Sequence, residues 1–193
     1  MKVLAIESSC DDTSFSLVSD DKSIDFIKTI NHRKFHKKHG GVIPEMAARQ
    51  HLDIMDYLQK SIKKFDFKKI DAIAATYGPG LIGGLIVGSS FAKGLSISRQ
   101  TKLIPINHLQ AHLLSPRLTS NLSFPYLCLL VSGGNTALVI VKSPKKFVTL
   151  GSTIDDSAGE CFDKVSKALG LGYPGGPIIE KLALKGDHHK YKL

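Results

Sequence analysis

A chain of 193 residues with 42% hydrophobic content is long enough for one packed domain or two small ones, which excludes a disordered or fibrous class. Cys10, Cys128 and Cys161 are odd in number, far apart and without CxxC spacing; this excludes a disulfide framework and a zinc knuckle, and reduced thiols in a cytoplasmic protein are expected. The formal charge of +9 favours a polyanion such as nucleic acid over a neutral or acidic partner, although solvated loops and helix faces account for it equally well.

Lys2 to Glu7 reads as a short apolar strand, Ser8 to Asp12 as a polar turn, and Thr13 to Val18 as a second, alternating strand. No export signal is visible, because Glu7, Asp11 and Asp12 interrupt the N-terminus before any apolar run reaches signal length. Asp11 and Asp12 at the hairpin tip are candidates to hold a cation or orient a hydroxyl, beside the plainer reading of Asx-turn chemistry. Ile24 to Ile30 reads as a third strand, and Asn31 to His39 as a basic loop that touches either a phosphate or only water. Gly40, Gly41 and Pro44 punctuate the path into a helix over Glu45 to Lys64. On that helix Glu45, Arg49 and His51 either serve a site or belong to a solvated face.

Ile70 to Thr76 reads as a buried strand that runs into a glycine turn, Tyr77-Gly-Pro-Gly80, and then a helix. Small residues at Gly84, Gly88 and Ala92 are spaced for close approach of another element. The segment Leu81 to Ile97 is a buried helix and not a membrane span, since glycines, serines and Lys93 break it. Leu103 to Ile106 is then a strand, and Asn107 caps a helix through Leu114 that carries His108 and His112 one turn apart. Both imidazoles face the same way at the mouth of a strand, where α/β proteins place ligands. Such a pair can share one metal ion, given a third ligand from elsewhere; two ordinary histidines at a helix start fit the spacing as well.

Leu118 to Ser123 reads as a polar loop, and Tyr126 to Val131 and Ala137 to Val141 as strands joined by Ser132-Gly133-Gly134-Asn135. That turn offers successive amides to a phosphate or carboxylate, or simply closes a hairpin. After a strand at Phe147 to Ser152, a helix is expected to begin at Asp155-Asp156 and run to Leu169, with Asp163 not needed as a cap. Gly170 to Pro177 is a glycine and proline loop, Ile178 to Lys185 starts a last helix, and His188 and His189 lie in a charged tail.

Two hairpin-led α/β halves with polar tips resemble the duplicated, RNase H-like architecture of actin, sugar kinases and Hsp70-type ATPases. The motifs are more specific. Ile6-Glu-Ser-Ser-Cys-Asp-Asp-Thr13, Gly40-Gly-Val-Ile-Pro-Glu45, Gly78-Pro-Gly-Leu81, His108-Leu-Gln-Ala-His112, Leu130-Val-Ser-Gly-Gly134, Asp155-Asp-Ser-Ala-Gly-Glu160 and Tyr173-Pro-Gly-Gly-Pro177, in this order, resemble the tRNA N6-adenosine threonylcarbamoyltransferases, also called TsaD or Gcp proteins. The resemblance implies an enzyme that transfers the threonylcarbamoyl group from threonylcarbamoyl-adenylate to N6 of adenosine 37 in tRNA. It implies that His108 and His112 hold one divalent ion, Fe(II) or alternatively Zn(II). It also implies that Leu130, Val131, Ser132, Gly133, Gly134, Asp163 and Gly176 line the adenylate site, with Asp11 and Asp12 as weaker catalytic candidates. TsaB-like and other subunits of the modification complex are implied partners, and no membrane is.

The departures from the family pattern are Asn107, Lys102 and Arg99 beside the histidine motif, and the end of the chain. Family members continue well past Leu193, through a third metal ligand, an aspartate, and an asparagine that contacts the adenylate. The expectation is therefore a first actin-like half over residues 1–106 and an incomplete second half over 107–193. Such a chain, a truncated product or one piece of a split enzyme, is expected to bind metal and adenylate poorly by itself. A non-catalytic TsaB-like partner is the competing reading, and a peptidase has no visible machinery, neither HExxH nor a nucleophile elbow.

Overall fold

The computed structural model describes residues 1–32, 35–36, 41–62, 65–187 and 189–192. Arg33, Lys34, Lys37, Lys38 and His39 of the basic loop, Gly40, Lys63, Lys64, His188 and Leu193 lie outside the described residues.

The chain divides into two compact units, the first containing Met1–His36 and Val42–Leu118, the second built from Thr119–Leu193. In the first, strands β1 (Lys2–Glu7), β2 (Asp12–Ser19), β3 (Ile24–Asn31), β4 (Ala72–Gly78) and β5 (Lys102–Asn107) form one sheet in the order β3-β2-β1-β4-β5. The β1–β2–β3 meander is antiparallel, whereas β1, β4 and β5 run parallel. Parallel neighbours need crossovers, and helices α1 (Pro44–Ile62) and α2 (Ile82–Arg99) supply them. Strand alternation aims Leu4, Ile6, Phe15 and Leu17 at one face, where Met55, Leu58 and Ile62 of α1 and Ala92 of α2 meet them in the buried core.

The small residues of α2 are spacers. A Cβ at Gly84 would stand 2.3 Å from Ser8 O, and one at Gly88 would stand 2.0 Å from Ser8 Oγ. Glycine thus lets α2 lie against the turn that follows β1, where the Ser8 hydroxyl donates to Gly84 O at 2.9 Å.

After β5 comes α3 (His108–Leu114), with Asn107 as its cap: the Asn107 Oδ1 accepts from Gln110 N–H at 3.0 Å, as the sequence suggests. Helix α3 packs back on β4 and β5, and the first compact unit runs to Leu118. A short helix, α4 (Pro116–Thr119), occupies the start of the expected polar loop.

In the second unit β6 (Tyr126–Val131), β7 (Thr136–Ser143) and β8 (Lys146–Ser152) form an antiparallel meander. Helices α5 (Ala158–Ala168) and α6 (Gly175–Ala183) pack on each other. Helix α5 begins later than expected. Ser157 is its cap, its hydroxyl accepting from Glu160 N–H, so Asp155 and Asp156 precede the helix instead of filling its first turn. On β6, Leu127, Leu129 and Val131 are 60%, 65% and 54% exposed, so one apolar face of this edge strand is bare among the described residues.

Candidate functional site

In the first unit β1, β4 and β5 end together: Ile6 pairs with Ala75, and Thr76 with Ile106. Their carboxyl ends therefore present Glu7, Thr76 and, at the start of α3, His108 side by side. Glu7 is the hub. Its carboxylate accepts from Ser9 N–H at 2.5 Å, from the Thr76 hydroxyl, and from His108 Nδ1 at 3.2 Å. Burial alone would raise the Glu7 carboxyl, but the bonds from His108, Ser9 and Thr76 outweigh it and hold it at about 2. Ser9 Oγ also reaches His108 Nδ1, at 3.1 Å.

An anionic carboxylate only accepts, so His108 carries a proton on Nδ1 and turns its Nε2 outward. That nitrogen lies 3.2 Å from His112 Nε2, with the two rings edge to face at 4.5 Å between centroids. Burial, then the neighbouring His108, lower the His112 imidazole and favour its neutral, ligating form. Two nitrogens 3.2 Å apart suit a shared ion: at about 2.1 Å from each they would subtend roughly 100°, near a tetrahedral or octahedral corner. The carboxylate behind His108 is the arrangement that orients metal-bound imidazoles. The pair thus fits two positions of a coordination sphere, and among the described residues no group of three or more His, Cys, Asp or Glu is placed to complete one.

Glu7, Ser9 and Thr76 are the residues that sequence reasoning did not single out. The usable signal was a carboxylate at the end of a strand, but its partner sits 101 residues away and only the β1–β4–β5 register joins them. The glycine turn after β4 closes on the same place: Leu81 N–H donates to Ser9 O at 2.7 Å, and a Cβ at Gly80 would stand 2.6 Å from that oxygen. Asp11 and Asp12 occupy the β1–β2 tip as expected. The Asp11 carbonyl accepts from His32 N–H at 2.9 Å, and Asn31 Nδ2 donates to the Asp12 carboxylate. Asp11 thus sits on the turn whose Ser9 touches His108, and Asp12 opens β2 next to it.

Several histidines differ from expectation. His32 and His36 of the basic loop and His51 of α1 are fully buried, neither solvated nor available to a phosphate. Glu45 and Arg49 do form a solvated face, as an exposed i,i+4 pair at 2.9 Å.

In the second unit the Ser132–Asn135 turn is tied to the start of α5. Ser132 N–H donates to Asn135 O at 2.8 Å, the Ser157 hydroxyl donates to Gly133 O at 2.6 Å, and Gly159 N–H donates to Ser132 O at 3.2 Å. A Cβ at Gly159 would stand 2.8 Å from Gly133 Cα, so only glycine lets the helix start approach the turn. One turn along α5, Asp163 accepts from Gly175 N–H at 2.6 Å and anchors the start of α6. A Cβ at Gly133, Gly134 or Gly176 would meet nothing within 4 Å, so their backbones face open space. Ser132, Gly133, Gly134, Asp163 and Gly176 are thereby brought onto one strip of the second unit; Leu130 faces inward on β6 and Val131 outward.

The family profile of tRNA N6-adenosine threonylcarbamoyltransferase matches residues 26–193. The enzyme of that name from Orientia tsutsugamushi (strain Boryong) is 50% identical over the whole of this chain, which covers 57% of it. The one from Thermotoga neapolitana is 49% identical, again over the whole chain and 60% of the relative. The chain thus spans somewhat more than half the length of these relatives. Among solved structures, a ROK family protein from Streptococcus pneumoniae TIGR4 in complex with sucrose superimposes with a TM-score of 0.58 at 16% identity, covering 96% of this chain and 68% of that one. That likeness is one of fold, the actin-like, sugar-kinase type expected from the hairpin-led halves. A profile that matches most of the chain decides the relationship: the chain belongs to the tRNA N6-adenosine threonylcarbamoyltransferase family.

Proposed function

We propose that the protein transfers a threonylcarbamoyl group from threonylcarbamoyl-adenylate to N6 of adenosine 37 in tRNA, with His108 and His112 as two metal ligands and Leu130 to Gly134, Asp163 and Gly176 as adenylate-binding residues. The observation that carries this reading is the convergence of His108 and His112 Nε2 at 3.2 Å with Glu7 behind His108. A divalent ion held there, Fe(II) or Zn(II), supplies Lewis acidity toward a carbonyl or phosphate oxygen. Glu7 and Ser9 keep the proton of His108 on Nδ1 and fix its ring. The Gly133 and Gly134 amides support charge on the adenylate, in the manner of an oxyanion hole. The Ser132 hydroxyl, engaged with Asn135, shapes that turn, and Asp163 sets the start of α6 beside it. Asp11 and Asp12 are the proposed groups to position the amine or accept its proton. The cationic surface suits tRNA, a cytoplasmic setting follows from that substrate, and TsaB-like subunits are the proposed partners. A purely non-catalytic scaffold has no physical need for the buttressed histidine pair.

Equilibrium dialysis of the chain against Zn(II), and against Fe(II) without oxygen, tests the metal assignment. Two imidazoles alone should retain one ion weakly, and His112→Ala should lower retention roughly tenfold or more. Retention unchanged by His112→Ala removes that residue from the site. Transfer of labelled threonine to tRNA by the protein carrying this chain should fall in parallel.

A further inference from the structure

Three histidines that the proposed transfer does not use are buried in the first unit, two of them on Thr13. His32, His36, His51 and Thr13 are each 0% exposed. The Thr13 hydroxyl lies 2.9 Å from His32 Nε2 and 2.7 Å from His51 Nδ1, and the His32 and His51 rings are 4.7 Å apart. The far nitrogen of His51, Nε2, lies 3.1 Å from Cys10 O. His36 Nδ1 accepts from Ile43 N–H at 3.3 Å. Two buried imidazole nitrogens have no partner, His32 Nδ1 and His36 Nε2.

The proton positions follow from groups whose roles cannot change. A carbonyl only accepts, so His51 carries its proton on Nε2, and its Nδ1 is bare. The Thr13 hydroxyl must then donate to His51, which leaves its oxygen to accept from His32 Nε2–H. His32 is therefore bare at Nδ1. From the other end, a backbone amide only donates, so His36 is bare at Nδ1 and carries its proton on Nε2. Two fixed ends, deduced independently, arrive at complementary atoms: an acceptor on His32 and a donor on His36. Phe35 N–H donates to His32 O at 2.9 Å, so the residue before His36 is bonded to His32.

We propose that His36, His32, Thr13 and His51, all neutral, form one directional hydrogen-bond relay from Ile43 N–H to Cys10 O, closed between His36 Nε2 and His32 Nδ1 through one buried water. Burial first, then the neighbouring imidazoles, lower His32 to about 4, and burial lowers His51, consistent with neutral rings. A metal does not fit this cluster, because His36 presents N–H and not a lone pair at its open nitrogen. The relay joins the entry to α1 to the turn that holds Ser9 and Asp11, so its histidines are positioning residues for that turn. It does not depend on the transfer reading, since its test reads protons and not activity.

Long-range proton–nitrogen correlation spectra of the nitrogen-15-labelled chain at pH 7 report each imidazole's tautomer. All three histidines should be neutral with the proton on Nε2; a proton on Nδ1, or an imidazolium, at any of them overturns the relay. His36→Asn keeps an acceptor for Ile43 N–H but deletes the Nε2–H donor. It should move the His32 Nδ1 signal toward that of an unbonded imine nitrogen, and an unmoved signal overturns the closure. Thr13→Ser should preserve the wild-type tautomer pattern and Thr13→Val should lose it; should the valine variant not fold, the wild-type spectrum and His36→Asn decide by themselves.

Discussion

Acidification should unfold the first unit in two steps set by different residues. His32 falls from the ordinary 6.5 to about 4 on folding, chiefly through burial, with His51 and His36 adding to the shift and Asp11 opposing it. Between those values the unfolded chain binds the proton and the folded chain does not, so stability is complete above 6.5 and is lost as pH falls toward 4. A displacement of about 2.5 units at about 1.36 kcal/mol each is about 3 kcal/mol. Glu7 acts lower down: its carboxyl is held at about 2 against an ordinary 4.5, so its contribution is present above 4.5 and lost as pH falls toward 2. Its side chain is 34% exposed, and solvent screening brings its share down to on the order of 2 kcal/mol. Urea titrations between pH 7 and pH 3 at fixed ionic strength, followed by the amide signals of Leu4, Ile6 and Phe15, read this unit alone. His32→Gln, whose amide can still donate to Thr13 but does not titrate in this range, should flatten the part of the profile above pH 4.5 and leave the lower part. His51, lowered in the same direction, keeps its own share. Stability that stays level from pH 7 to 4.5 in the wild type, or that rises on acidification, refutes the buried, neutral assignment of these rings.

Glu7→Gln should weaken Zn(II) binding roughly tenfold, because a neutral amide no longer fixes the His108 proton on Nδ1; calorimetry showing wild-type affinity would detach Glu7 from the pair. Gly84→Ala should destabilise the first unit by about 2 to 4 kcal/mol, from the overlap with Ser8 O and the His51 ring and the lost Ser8–Gly84 bond. Gly94→Ala, on the same helix but with open space, should be neutral or stabilise by up to about 1 kcal/mol; urea melts that rank the two alike count against the spacer argument. Ser157→Ala removes both the cap of α5 and the bond to Gly133 O, and should cost the second unit about 1 to 2 kcal/mol by the same assay. Leu129→Thr should cost under about 1 kcal/mol while reducing binding of an apolar dye, since that side chain is 65% exposed.

Local chemistry was legible where one short stretch contains both the cause and the effect. Asn107 and Gln110 lie within one turn, so the cap of α3 and the shared face of His108 and His112 follow from spacing alone. Gly84, Gly88 and Ala92 announce a close approach, and the sequence omits what approaches, the Ser8 turn at the two glycines and the sheet core at Ala92. Helix α5 shows the limit even of local reading. Asp155 and Asp156 resemble a charged first turn, but the Ser157 hydroxyl, with bonds to both Glu160 N–H and Gly133 O, wins the cap position.

Where the partner is distant in sequence, composition misleads in a consistent direction. Asn31 to His39 carries so much positive charge that its histidines read as part of a solvated loop, yet His32 and His36 are buried. Imidazole permits this, because at neutral pH it can enter a core as an uncharged ring provided its N–H and its lone pair each find a partner. Thr13 supplies one such partner from β2, the Cys10 carbonyl a second from the adjoining turn, and Ile43 a third from the entry to α1; none could be paired with its histidine without the fold. The same reasoning separates the two histidine groups of this unit. His108 and His112 turn unprotonated or releasable nitrogens toward a common point beside a carboxylate and so suit a cation, whereas His32, His36 and His51 have every fixed proton committed along one direction. A core that holds three neutral imidazoles under the turn bearing Ser9 therefore constrains the ligand pair from below, and a variant that breaks the relay should disturb His108 only through the displacement of Ser9.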